Sequence, residues 1–169
     1  MPHNSDSVTG PYRRENGCLV ASDNVGNAWP EKVFRRSDIA AAVAEFHAVF
    51  DLPRRATPSV EVGDVHAILR AALLAEECGE FLVATGARDL IAIADALADI
   101  VYVAYGAALT YGIDLDLVLS EVHRANMSKL DDNGRPIKRA DGKVLKSQRY
   151  TPPDVEAMLR RQPPLVFPC

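Results

Sequence analysis

After residue 36 the apolar positions recur every three or four residues, the period of one helix face. Ser37-Asp38 opens the first such stretch, which runs through Phe50 with Ile39, Val43, Phe46 and Phe50 on one side, and Leu52-Pro53 ends it. Pro58-Ser59 opens a longer helix, from about Val60 to Thr85, which Gly86 stops. A third is expected from about Arg88 to Tyr111, closing at Gly112, and Asp114 caps a fourth that reaches about Lys129. Asp131-Asp132-Asn133-Gly134 and Ala140-Asp141-Gly142-Lys143 are turn signals. Pro152-Pro153 begins a short last helix to about Arg161. Strand alternation is lacking; only between Pro136 and Leu145 does the pattern allow a small hairpin. The expected architecture is all-α, a bundle with short connections.

Three segments follow from this pattern. Residues 1–36, polar and rich in Asn, Gly, Ser and Pro, form an irregular N-terminal arm with a few apolar anchors such as Trp29 and Phe34. Residues 37–162 form the helical domain, and residues 163–169 an irregular tail. Within the domain the third helix is apolar around most of its circumference, from Ile91 through Ala104. Such a helix needs cover on all sides. One small bundle cannot supply it, so a second copy of the chain, packed through the central helices, is expected.

Acidic residues break the apolar pattern at two places, Glu76-Glu77-Cys78-Gly79-Glu80 and Asp95-Ala96-Leu97-Ala98-Asp99. At helical spacing Glu76 and Glu77 share a face with Glu80, and Asp95 with Asp99. No basic residue lies between Arg70 and Arg88, and Asp95 and Asp99 carry the only charges between Ile91 and Ile113. These aspartates are expected to be buried on most sides. Carboxylates in such surroundings need a cation, and a set of hard oxygen ligands suits Mg²⁺ or Mn²⁺.

Composition narrows the class. The chain has 169 residues, 48% hydrophobic and 25% charged, with a net charge of −4. That is the profile of a globular protein, and its sign argues against non-specific nucleic-acid binding. The uncharged run from Ile100 to Ile113 is short for a membrane span and is broken by Gly106 and Gly112. The first residues show neither a basic nor an apolar leader region. The three cysteines are far apart and form no CxxC pair, so neither a zinc site nor a disulfide framework is expected. A reducing cytoplasm, bacterial or of a phage-infected host, is the expected location.

At this point several blocks resemble a known family in order: Phe46-His47-x-x-Phe50-x-x-Pro53, Glu76-Glu77-x-x-Glu80, the Asp99 cluster, Tyr102-Val103-x-Tyr105-Gly106, Glu121 to Lys129, and Arg139 to Lys146. They are similar to the MazG-like all-α nucleoside triphosphate pyrophosphohydrolases, over about residues 38–156. The last two blocks resemble the phage-type (MazZ-like) and dUTPase-like branch. The family pattern is ExxE followed by ExxD. Here Ala96 stands where the second glutamate belongs, and Asp95, one residue earlier, is expected to replace it.

The resemblance implies conversion of a nucleoside triphosphate to the monophosphate and pyrophosphate. Glu77, Glu80 and Asp99, supported by Glu76 and Asp95, would hold two or more Mg²⁺ or Mn²⁺ ions, and Glu76 or Glu77 would take the proton of the attacking water. Lys129, Arg139, Lys143 and Lys146, with Arg124 and Lys138 nearby, are candidates for the outer phosphates. Asn126 suits a sugar hydroxyl or base edge, and Trp29 the base. His47 and His123 are read as structural. A purine deoxynucleotide, dGTP first, is the expected substrate. The alternatives are a dUTPase-like or phosphoribosyl-ATP activity, or a helical dimer that binds nucleotide without turnover. Homodimer and homotetramer both remain open.

Overall fold

The computed structural model describes residues 12–15, 18–21 and 37–167. The chain divides into two units, residues 1–32 and 33–169. In the first, β1 (Tyr12–Glu15) pairs antiparallel with β2 (Cys18–Ala21), in the register Tyr12↔Ala21 to Glu15↔Cys18. The arm is thus not wholly irregular as expected. Its sequence carries Asn16-Gly17 between the strands, the dipeptide most favoured for a two-residue hairpin. Trp29 and Phe34 lie outside the described residues.

The second unit is helical, as the sequence predicts. It holds α1 (Asp38–Val49), α2 (Asp64–Ala87), α3 (Leu90–Tyr111), α4 (Leu115–Met127) and α5 (Val155–Arg161). Ser37, Asp89, Asp114 and Asp154 each accept a backbone N–H of the first turn they precede, which satisfies donors that a helix start leaves unpaired. Two starts fall later than expected. α2 begins after Gly63, whose φ of 82° lies outside helical space, rather than at Val60. α5 begins after Asp154 rather than at Pro152. α2 also runs through Gly86, and Arg88, at φ 56°, makes the left-handed cap. The expected hairpin after Pro136 is reduced to isolated bridges, Lys138↔Val144 and, before it, Leu130↔Pro136.

α2 and α3 form an antiparallel pair about the Arg88-Asp89 turn, and α1 packs on α3. The core between α1 and α3 is made by Ala40, Val43, Ala44, Tyr105 and Leu109, closed by Leu115, Leu165 and Phe167. Buried polar groups are paired there. Asp116 accepts the Tyr105 hydroxyl at 2.6 Å and the Ser37 N–H at 2.7 Å. Burial first, then that carboxylate, raises the Tyr105 pKa. Arg70 Nε donates to the Thr110 hydroxyl at 2.9 Å. His47, 2% exposed, is bonded to the Pro53 carbonyl at 3.0 Å, which fits the structural role expected of it. Gly112, at φ 71°, is required twice over: a Cβ there would sit 2.2 Å from the Thr57 carbonyl oxygen.

Candidate active site on the paired helices

The turn between α2 and α3 sets the site. Glu77 stands eleven residues before Arg88 and Asp99 ten after Asp89. At 1.5 Å of rise per residue both lie roughly 15 Å from the turn. An antiparallel pair therefore brings the two acidic clusters level. The electrostatics agree. The Glu77 carboxyl is held above its ordinary value first by desolvation and then by Asp99, Glu80, Glu76 and Asp95. The other four acids predicted from sequence thus all act on Glu77 at this place.

Glu76, Glu80, Asp95 and Asp99 are exposed and Glu77 is half-buried. The expectation that Asp95 and Asp99 are buried does not hold within one chain, because the faces beside them are uncovered. Leu82, Val83, Leu90 and Ile91 are each at least 70% exposed, and Leu97 and Val101 nearly half. α3 is long and apolar enough to cross a bilayer by length and composition, yet only 17% of its most apolar stretch is buried in the chain. Ala96, by contrast, is 3% exposed. The position where the family carries glutamate is therefore turned inward, and Asp95 is the acid on the outside.

No ion pair with any of the five acids occurs among the described residues, and no three such side chains already converge closely enough there to hold an ion as they stand. Their chemistry still fits a hard divalent cation: every donor is a carboxylate oxygen, and the mutual repulsion that raises Glu77 is what a cation would relieve.

The basic candidates are largely occupied with one another's neighbourhood. Arg124 forms a two-pronged pair with Glu121, at 2.7 and 2.8 Å, and donates to Thr151 and Pro152. It serves the fold rather than a phosphate. Lys129 Nζ donates to Asn126 Oδ1 at 2.7 Å. Arg139 pairs with Asp141, and Lys146 lies 4.3 Å over the Tyr150 ring. Lys143 is exposed at the tip of the same turn, its backbone N–H bonded to Asp141.

Sequence reasoning missed an aromatic group where α1 meets α3. Phe46 lies 4.4 Å from Phe50 and meets Tyr102 edge-on at 5.6 Å. The signal was present as the i,i+4 pair Phe46 and Phe50, but the pattern read it as core.

The family model described as phosphoribosyl-ATP pyrophosphohydrolase matches residues 43–126. That span holds both acidic clusters and the helices that bring them together. The chain belongs to the MazG-like all-α nucleoside triphosphate pyrophosphohydrolases. An uncharacterized protein of Acanthamoeba polyphaga mimivirus is 33% identical over 98 residues, which cover 56% of this chain and 37% of the viral protein. The chain thus spans little more than a third of that relative. The MazG-like match ends at Asn126, so Lys129, Arg139, Lys143 and Lys146 lie beyond it.

Proposed function

We propose that the chain hydrolyses a nucleoside triphosphate to the monophosphate and pyrophosphate. The observation that carries this is the level placement of Glu76, Glu77 and Glu80 on α2 and of Asp95 and Asp99 on α3, within the span matched by a pyrophosphohydrolase family. Glu77, Glu80 and Asp99 would hold Mg²⁺ or Mn²⁺, two or more ions, with Glu76 and Asp95 in support. When bound, the metal neutralises the triphosphate and makes a water more acidic.

The chain's own residues do the rest. Water oxygen attacks the α-phosphorus, the bond to the bridging oxygen of the β-phosphate breaks, and pyrophosphate leaves. The proton lost by the water passes to Glu76 or Glu77. The basic strip, Lys129, Arg139, Lys143 and Lys146, would hold outer phosphates. Asn126 would meet the sugar or base.

The substrate we favour is a purine deoxynucleotide, dGTP first, on the likeness of the C-terminal blocks to phage enzymes. Phosphoribosyl-ATP is the second reading, and the description of the matching family supports it. The uncovered face of α2 and α3, including Val65, Ile68, Leu82 and Ile91, supports a homodimer or homotetramer. Ala96 is the one feature that favours binding without turnover. Incubation with a panel of dNTPs, phosphoribosyl-ATP and Mg²⁺, followed by pyrophosphate detection, separates these readings. Release from dGTP is expected. Release from phosphoribosyl-ATP alone would move the substrate, and no release from any of them would overturn the enzyme reading.

A further inference from the structure

We infer that Phe50 and Phe46, at the C-terminal end of α1, form the surface on which the substrate's base rests. The inference rests on the pyrophosphohydrolase reading for its ligand and on the following geometry for its place.

α1 runs antiparallel to α3. Near its start Ala40 shares a core cluster with Leu109. Further on, His47 Nε2 lies against Gly106, 2.9 Å from where a Cβ would be, and Phe46 meets Tyr102. Each turn of α1 moves toward the start of α3 and so toward Asp99. Tyr102 stands three residues after Asp99, on the same face. The aromatic row of Tyr102, Phe46 and Phe50 therefore leads to the carboxylates.

The row is rigid beneath and open above. Val43 is fully buried and His47 2% exposed, while Phe46 is 38% and Phe50 61% exposed. The edge-on contact of Phe46 with Tyr102, at 80°, fixes one ring. Phe50 is held against it at the left-handed turn of Asp51, φ 52°, where the Leu52 N–H returns to the His47 carbonyl at 2.8 Å. Phenylalanine offers a π-face and no hydrogen bond. It stacks on any base and holds the larger purine ring system better than a pyrimidine. The platform thus selects base size, and the identity of the purine must be read elsewhere.

The test is equilibrium binding in Mg²⁺ of non-hydrolysable α,β-imido analogues of dGTP and dTTP, with inorganic tripolyphosphate as the base-free probe. The full chain is compared with Phe50→Ala, Phe50→Trp and Trp29→Ala. Wild type is expected to bind the dGTP analogue more tightly than the dTTP analogue, and both more tightly than tripolyphosphate. Phe50→Ala is expected to lose about 10-fold on the dGTP analogue, less on the dTTP analogue and nothing on tripolyphosphate; Phe50→Trp restores the preference. The inference is overturned if wild type binds both analogues no better than tripolyphosphate. It is equally overturned if Phe50→Ala weakens all three probes alike, if it dissociates the oligomer in sedimentation, or if Trp29→Ala rather than Phe50→Ala removes the preference. Base-dependent binding lost in Phe50→Ala without any pyrophosphate release would sink the enzyme reading and keep the platform. Turnover with an indifferent Phe50 would do the reverse.

Discussion

Glu121 and Arg124 face each other one turn apart on α4, the guanidinium Nη2 and Nε donating to the two carboxylate oxygens at 2.7 and 2.8 Å. Glu121 also takes the Asp154 N–H at 2.8 Å, and Arg124 reaches Thr151 and Pro152. The pair therefore closes the loop that carries the basic strip, by tying its far end to α4.

Glu121→Gln should loosen that closure. The Arg124 pair first, and the Asp154 N–H after it, hold the Glu121 pKa below its ordinary 4.5. Its contribution is present above 4.5 and is lost as pH falls through the folded value. Because Arg124 is 40% exposed, the loss at neutral pH should be modest, on the order of 1–2 kcal/mol. Thermal melts should show a lower Tm at pH 7 and a smaller gap between variant and wild type in acid. An equal gap at both pH values would mean that the carboxylate's charge is idle.

Glu80→Gln and Asp99→Asn should abolish pyrophosphate release while circular dichroism stays helical. Each also removes one like charge from the cluster, so the metal-free variants should melt at or above the wild-type temperature. Near wild-type turnover in either would remove that residue from the ligand set, and activity surviving EDTA would remove the metal.

The pH dependence of Glu77 runs opposite to that of Glu121. Its folded pKa is raised, so its protonated form favours the fold. That contribution is full below 4.5 and disappears as pH rises through the folded value. Glu77→Gln should therefore gain Tm relative to metal-free wild type between pH 4.5 and 7. Saturating Mn²⁺ should cancel the gain, because the ion stabilises only the wild-type site. A difference between the two proteins that is flat with pH would show that the four carboxylates do not act on Glu77.

Asp95→Ala tests the departure from the family pattern. With Ala96 turned inward, Asp95 is the residue left to complete the second pair. The variant should bind Mn²⁺ more weakly and lose about 10-fold or more in activity. Unchanged metal affinity in calorimetry would mean that Glu77, Glu80 and Asp99 suffice.

Sedimentation should show a species larger than the 18.4 kDa chain. Leu82→Asp or Ile91→Asp, on the uncovered face of α2 and α3, should return it to that mass. A wild-type monomer at micromolar concentration would refute the assembly.

The helices were legible because their signals are local. Ser37 and Asp114 cap where the sequence puts them, Gly112 ends α3, and the spacing of Glu77, Glu80, Asp95 and Asp99 was enough to place both acidic clusters on helices. That the two clusters stand level also follows from the sequence, once the turn is fixed at Arg88-Asp89. What was not legible depends on longer-range facts. Apolarity around α3 pointed to cover from a second copy but could not say what one chain alone leaves bare, so Asp95 and Asp99 were expected to be buried. Arg124 looked like a free cation although Glu121 stands three residues before it on the same helix; its bonds to Thr151 and Pro152 form only in three dimensions. Gly63 displaced the start of α2 through its backbone angle, and the Asn16-Gly17 signal was passed over in an arm judged by its composition.

The tail has a consequence for the order of events in synthesis. The Leu165 N–H bonds to the Ala56 carbonyl at 2.7 Å, and the Gln162 side chain bridges the Asp114 N–H and the Gly112 carbonyl, both at 2.8 Å. Leu165 and Phe167 complete the packing around α1. Domains generally fold as units while the chain emerges from its N-terminus. Here the first helix of the bundle waits for a segment made after α5. A nascent chain halted before residue 162 would leave the α1–α3 core unsealed, and a partner fused tightly behind Phe167 would compete with the seal. The segment after α5 acts as a latch on a helix that the ribosome made long before it.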